Sequence, residues 1–125
     1  MLEQAQAELP NECCGLLAGR VQGGVGRVEV RYPLVNETAS PIEYNAEPRS
    51  MLAAFKDMRA RGIVELAIYH SHPTSAPIPS KTDRERNYSP DVMNLIIGRG
   101  GVEPLVRGWW LTETDFVEAA WEIIE

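Results

Sequence analysis

Short apolar runs, separated by glycine, proline and polar residues, follow one another along most of the chain. Runs of this length that are rich in β-branched and aromatic residues and bounded by turn residues are typical of buried strands. The pattern predicts strands at 13–18, 27–34, 63–69, 92–97 and 104–111. The Phe-Val and Ile-Ile ends of 116–124 favour a strand there too, although the Ala119-Ala120 centre tolerates a helix. The chain is therefore predicted to be rich in strands, with turns at the glycines between them.

One segment has apolar residues at helical spacing instead. Pro48 suits the first turn of a helix and Gly62 suits its end, so the sequence predicts a helix over 48–61. Its apolar residues recur on one face and are predicted to pack on the core: Met51, Leu52, Phe55 and Met58. A shorter helix is predicted within residues 2–9, before Pro10. Strands combined with two helices favour an α/β fold in which helices flank a sheet.

Composition agrees with one globular domain that spans residues 1–125. At 125 residues and 44% apolar content, the chain is long enough to bury a core of its own. Its net charge of −6, with no basic cluster, argues against a nucleic-acid or anionic-membrane partner. No apolar segment reaches the length of a membrane span, and the first residues lack the features of a secretory signal, so we expect a cytoplasmic protein. The sequence carries no indication of the oligomeric state.

Candidate metal ligands and a hydroxyl are concentrated between His70 and Asp83, in the stretch HSHPTSAPIPSKTD. His70 and His72 follow a predicted strand, where residues two apart project to the same side and can reach one ion. Asp83 can return to that ion if the proline-rich segment before it folds as a compact loop. Two imidazoles and one carboxylate fill three positions of a tetrahedral zinc site and leave the fourth for water, which is the catalytic arrangement. The stretch therefore predicts one Zn²⁺ per chain in a catalytic site.

Other interpretations of the metal-ligating residue types are weaker. A His-x-His pair alone is common on strands that bind no metal, but here the loop and the aspartate follow at once. The Pro-Cys-x-x-Cys pair of zinc deaminases and the helical His-Glu-x-x-His motif are both absent from the sequence. Cys13 and Cys14 are neighbours on a predicted strand and should point to opposite faces, so we predict two buried thiols rather than a disulfide or a metal pair.

Two separated segments resemble the JAMM motif of the MPN-domain (JAB-like) zinc metalloproteases in their short prokaryotic form. His70-Ser71-His72 is followed, after seven residues, by Ser80-Lys81-Thr82-Asp83, which is the spacing of that motif. Upstream, PNECCGLLAG at 10–19 is similar to the family's first core strand, which carries a glutamate at its mouth. The resemblance implies a deaminase-like α/β fold, a curved mixed β-sheet flanked by helices.

The resemblance also implies a role for each site residue. His70, His72 and Asp83 would bind zinc, Glu12 would be the general base that activates the zinc-bound water, and Ser80 would help to hold the oxyanion. A carboxylate near the metal but not bound to it can take the proton of the water and pass it to the leaving amine. A hydroxyl donor beside the metal can stabilise the negative charge of the tetrahedral intermediate.

Members of this family cut the amide or isopeptide bond after the C-terminal Gly-Gly of ubiquitin-like or sulfur-carrier proteins, so the resemblance implies such a substrate. Only 84–89 separates Asp83 from the next Pro-Asp turn, which leaves little room for the second substrate-clamping insertion of the eukaryotic enzymes. Three alternatives stay open: a non-catalytic MPN scaffold, a RadC-like protein of the same fold, and a purely structural zinc site. Ser71 between the histidines argues against the second, because RadC-type proteins usually carry asparagine there.

Overall fold

The computed structural model describes residues 1–40, 44–87, 91–99, 103–112 and 114–123. Its helices and strands, in chain order, are α1 Leu2–Ala7, β1 Cys14–Gln22, β2 Val25–Leu34, α2 Pro48–Arg61, β3 Val64–His72, α3 Lys81–Glu85, β4 Met93–Gly98, β5 Leu105–Leu111 and β6 Phe116–Ala119. The six strands form one sheet in the order β2-β1-β3-β4-β5-β6. β3 and β4 run parallel and every other neighbouring pair is antiparallel, so the sheet is mixed. This confirms the predicted α/β class, a mixed sheet flanked by helices.

The two faces of the sheet carry separate cores. α2 packs on the face that presents Leu16, Ala18 and Ile68. α1 covers the opposite face, where its Ala5 meets Cys13 and Tyr69 among others. Cys14 belongs to the α2 core, so the two adjacent cysteines do point to opposite faces, and both are free thiols. Among the described residues, no helix is both long and apolar enough to cross a lipid bilayer.

Turn chemistry explains where the first hairpin and the long helix end. Gly23 and Gly24 have φ values of 58° and 77°, the left-handed conformation that a tight two-residue hairpin turn requires. β1 and β2 therefore extend further toward this turn than the predicted segments do. α2 begins with Pro48 and ends at Gly62, whose φ of 68° caps the helix as predicted.

The predicted apolar stripe of α2 is only partly correct. Met58 is buried and Met51 is partly buried, but Leu52 is 57% exposed and Phe55 is 39% exposed. The helix instead rests on the line through Met51, Ala54 and Met58. Ala54 is small enough to let the helix backbone approach the sheet, which turns the bulkier Leu52 and Phe55 toward solvent.

Two further segments differ from their predicted structure. The loop expected to carry the aspartate contains α3, because the side chain of Ser80 caps this short helix. The last strand, predicted over 116–124, ends at Ala119, and residue 124 lies outside the described ranges. The side chain of Trp121, two residues beyond β6, lies against Gly108 of β5.

Candidate metal centre

The sheet delivers both histidines to one point. β3 lies between β1 and β4 and ends at His72, with His70 opposite Cys14 of β1 and Ile96 of β4. Directly opposed residues share a face, so His70 and His72 project on the α2 side of the sheet. His70 is fully buried and His72 is 7% exposed, and their Nε2 atoms lie 3.2 Å apart.

Asp83 reaches the histidines from the first turn of α3. A capping box orients it: the Ser80 hydroxyl accepts from the backbone N–H of Asp83 at 3.1 Å, and Oδ2 of Asp83 accepts from the backbone N–H of Ser80 at 2.9 Å. The two carboxylate oxygens then lie 3.1 Å from Nε2 of His70 and 3.1 Å from Nε2 of His72. One ligand atom from each of the three residues lies within 4.8 Å of the others, so all three can contact one ion.

Three contacts hold the loop at 73–80 that joins β3 to α3. Nδ1 of His72 donates to the carbonyl of Ala76 at 2.9 Å, and Nε1 of Trp109 donates to the carbonyl of Pro77 at 2.9 Å. Pro77 also packs on Gly98 so closely that a Cβ at that glycine would lie 2.3 Å from the proline ring. The loop is therefore compact, as the prolines in the sequence predict.

The side chains of His70, His72 and Asp83 fit a cation. The hydrogen bond from His72 to Ala76 supports this, because it fixes which ring nitrogen is protonated. A carbonyl oxygen only accepts, so Nδ1 of His72 carries the proton and, in the neutral ring, Nε2 carries a lone pair. That lone pair faces the Asp83 carboxylate at 3.1 Å. Two electron-rich atoms at this distance repel unless a proton or a metal ion joins them. Two imidazole nitrogens and a carboxylate are a ligand set that zinc takes in catalytic sites.

The electrostatics of the cluster agree with this view. Burial alone would lower the pKa of His72, but the hydrogen bond to Asp83 and the nearby negative charges of Asp83 and Glu12 raise the pKa above its ordinary value. Burial alone would raise the pKa of Asp83, but its hydrogen bonds to His70 and His72 hold the pKa of this carboxyl well below its usual range. The site therefore favours a carboxylate together with positive charge.

Glu12 lies two residues before β1 and is only 2% exposed, so it is not a solvated surface acid. Its charge acts on His72, which places the carboxylate in the electrostatic neighbourhood of the cluster. Its backbone N–H donates to the carbonyl of Ser40 at 2.8 Å, and its carbonyl accepts from Nδ2 of Asn36 at 3.0 Å. The base suggested by the family resemblance is thus buried and held at its backbone.

Ser80 is an exposed residue at the start of α3, and it shares the capping box with Asp83. Its oxygen accepts the backbone N–H of Asp83, an interaction that does not use the hydroxyl proton. The hydroxyl can therefore cap the helix and still donate to another group beside the cluster.

Several neighbours of the cluster were not identified from the sequence. The ring of Tyr44 stacks on the imidazole of His70 with centroids 4.6 Å apart, and no hydrogen bond within the described ranges reaches Nδ1 of His70. Ser71 accepts the backbone N–H of Cys13 at 2.8 Å and so ties β3 to the segment that holds Glu12. Tyr44 lies in irregular chain far from the motif, where neither spacing nor periodicity marks it. Ser71 lies inside the motif, but its partner is 58 residues away.

Comparison with known proteins gives consistent matches. Residues 1–112 match the family described as prokaryotic homologs of the JAB domain. A Thermus thermophilus protein named probable TtuB-protein conjugate cleaving protease is 39% identical over 108 residues, which cover 82% of this chain and 68% of that protein. The desampylase of Haloferax volcanii is 35% identical over 100 residues, covering 79% and 70%. A solution structure of a Desulfitobacterium hafniense protein matches with a TM-score of 0.85 and 38% identity, covering 95% of this chain and 82% of that one.

A mixed sheet with a His-x-His pair at the end of an inner strand and an aspartate on the following helix defines a protein of the JAB/MPN type. The match over residues 1–112 narrows this class, and the chain belongs to the family of prokaryotic homologs of the JAB domain. The resemblance inferred from the two sequence segments and the fold it implied are both confirmed.

Proposed function

We propose that this protein is a zinc-dependent metallopeptidase that hydrolyses the amide bond after the C-terminal Gly-Gly tail of a ubiquitin-like or sulfur-carrier protein. The convergence of His70, His72 and Asp83 on one point carries the proposal, because it leaves electron-rich atoms that a metal ion would join. Relatives named as a desampylase and as a probable conjugate-cleaving protease support a hydrolase that acts on protein conjugates.

Zinc would be held by Nε2 of His70, Nε2 of His72 and the carboxylate of Asp83. When bound, it supplies a Lewis acid that lowers the pKa of a water molecule and polarises the substrate carbonyl. The protein prepares the ligands in advance: Ala76 sets the tautomer of His72, Tyr44 stacks on His70, and the capping box orients Asp83. Such outer contacts keep the ligand atoms directed at the ion.

Glu12 is proposed as the general base. Its carboxylate accepts a proton from the attacking water and delivers it to the departing amine nitrogen, which a metal-bound carboxylate could not do as readily. Its burial supports this role over that of a solvated surface acid. The Ser80 hydroxyl is proposed to donate to the developing oxyanion, while its oxygen keeps the N–H of Asp83.

An extended glycine tail can add to a sheet edge and presents no side chains that would clash there. The connection from α3 to β4 spans only 86–92, which leaves no room there for a long substrate-clamping insertion. A compact substrate with a flexible glycine-terminated tail is therefore favoured over recognition of a large folded conjugate by long loops.

The direct test is a linear fusion of a ubiquitin-like protein, ending in Gly-Gly, to a reporter domain. We expect cleavage after the second glycine, identified by mass spectrometry, together with close to one zinc per chain by elemental analysis. A chelator should abolish cleavage and added zinc should restore it. A matched fusion with Val-Val in place of Gly-Gly should resist cleavage.

Cleavage that survives removal of all metal would contradict the proposal. Stable binding of the fusion without cleavage by the zinc-loaded protein would instead favour the non-catalytic scaffold.

A further inference from the structure

Glu12 occupies a position that the sheet alone does not hold. β1 begins at Cys14, so Glu12 lies outside the ladder of backbone hydrogen bonds that fixes the residues after it. Its backbone N–H and carbonyl are bonded instead to Ser40 and to the side chain of Asn36. The orientation of a base at the mouth of a strand therefore depends on the segment at 36–40, which follows β2.

Asn36 is the organising residue of that segment. It is 9% exposed, and its Nδ2 donates to the carbonyl of Glu12 at 3.0 Å. Its Oδ1 accepts the backbone N–H of Asn45 at 2.9 Å, and also the N–H at 3.3 Å and hydroxyl at 2.7 Å of Thr38. One amide thus joins the residue that carries the proposed base to the returning chain next to Tyr44, which stacks on His70.

The direction of this amide is determined by its partners. The backbone N–H groups of Thr38 and Asn45 only donate, so the side-chain oxygen must face them. The carbonyl of Glu12 only accepts, so the side-chain nitrogen must face it. A flipped amide would oppose donors to donors and an acceptor to an acceptor. The amide of asparagine meets both requirements, because it carries a donor nitrogen and an acceptor oxygen on one planar group.

We infer that Asn36 is a positioning residue for the general base: its amide holds the backbone of Glu12 so that the carboxylate stays aimed at the metal cluster. The inference rests on the proposed function, since it assigns Glu12 a catalytic proton transfer. A small displacement of a catalytic group costs up to about 100-fold in rate, and loss of supporting contacts around metal sites costs about 10- to 100-fold. Asn36 touches no proposed metal ligand through any of the hydrogen bonds described above.

Asn36→Ala removes the donor to Glu12 without adding charge. We expect kcat on the Gly-Gly fusion to fall about 10- to 100-fold, KM to change less than about threefold, and zinc content to stay near one per chain. Asn36→Asp keeps an acceptor for Asn45 and Thr38 but also lacks the donor, and it should lower kcat as well. Thr38→Val, the matched control, removes a bond to the other end of the same amide and should keep kcat within about threefold of wild type.

A double-mutant cycle separates positioning of the base from a general structural role. In the Glu12→Gln background there is no base left to position, so Asn36→Ala should lower the residual single-turnover rate less than about twofold. A loss of the same size in both backgrounds, or a wild-type kcat in Asn36→Asp, would overturn the inference.

Two further results have distinct meanings. If Asn36→Ala does not fold, Asn36→Asp carries the same comparison, because it preserves the loop-side acceptor. If Glu12→Gln alone is as active as wild type, the assignment of the base fails, and this outcome is distinguishable from a failure of Asn36 to position it.

Discussion

At His72, one backbone carbonyl decides which ring nitrogen carries the proton. The bond to Ala76 places that proton on Nδ1 and leaves Nε2 available to a metal. His70 is oriented differently, by the stacked ring of Tyr44. Two chemically identical ligands are thus prepared by a hydrogen bond in one case and by packing in the other. The spacing of the histidines predicts their meeting but not these supports, because Ala76 and Tyr44 become neighbours only through the fold.

Glu12→Gln preserves the shape of the buried side chain but removes its ability to accept a proton. We expect zinc content to be unchanged and kcat to fall about 10²- to 10⁴-fold, the usual contribution of general acid–base catalysis. Cleavage kinetics and elemental analysis on the same preparation measure both quantities. Glu3→Gln, which alters an exposed glutamate of α1, is the control and should match wild type. Loss of zinc in Glu12→Gln would instead make Glu12 a ligand.

Ser80 has two functions that different substitutions separate. Ser80→Ala removes both the proposed oxyanion donor and the helix cap, so kcat should fall about 10²- to 10³-fold and stability by about 1 kcal/mol. Ser80→Gly removes the donor, but glycine is tolerated at the cap and should cost only a few tenths of a kcal/mol. We therefore expect equal losses of activity with unequal losses of stability, measured by cleavage assays and urea denaturation. An active Ser80→Gly variant would exclude the hydroxyl from the reaction.

Among the secondary-structure elements, the sequence predicts β3 but not α3. The apolar run before His70 marks β3 clearly, and its two histidines extend the strand to His72. α3 is only five residues long and depends on the capping box between Ser80 and Asp83. The Ser-x-x-Asp spacing that predicts a metal ligand and an oxyanion donor is therefore also the start of a helix, formed by the same two residues. Local patterning did not distinguish these uses, because each requires the same side chains at the same spacing.

β5 also supports the loop at 73–80, through the hydrogen bond from Trp109 to Pro77. Trp109→Phe should keep the edge-to-face contact with Phe116 but lose the bond to the carbonyl of Pro77. We expect zinc affinity, measured by competition with a chromophoric chelator, to fall about 10-fold, because the loop that orients His72 is loosened. Trp110→Phe is the matched control, because the ring of Trp110 is 40% exposed and lies on the other face of β5. Equal affinities in the two variants would show that the loop needs no support from Trp109.

Considered as a complete fold, the protein brings its proposed site together from four separate parts of the chain. Glu12, the residues at 36–40 and 44–46, the end of β3 and the start of α3 are joined there by hydrogen bonds, ion pairs and ring stacking. A metal that binds this assembly binds the folded state and not the unfolded chain, so it should stabilise the protein. That residues 1–125 form one domain stays a prediction.

Thermal unfolding tests this coupling. With zinc at about 100 times its dissociation constant, linkage contributes about 2.7 kcal/mol, so a chelator should lower Tm by roughly 10 °C for a chain of this length. The His72→Ala variant lacks one ligand, and its Tm should respond little to the chelator. A zinc-loaded wild-type protein whose Tm is unaffected by chelation would show that the metal is not linked to folding.

Local order along the chain was sufficient to predict the ligand set, the long helix and most strands, because ligand spacing, caps and strand patterns depend on residues close in sequence. Local order did not predict which side of α2 is buried. The short distance between helix and sheet favours the small Ala54 at the contact over Leu52. Local order also did not predict the role of Asn36, because its hydrogen bond to Glu12 joins residues 24 apart in the sequence. Both outcomes depend on which distant groups the fold brings into contact. At those contacts, hydrogen-bond direction and steric fit distinguish side chains that are equivalent in the local sequence pattern.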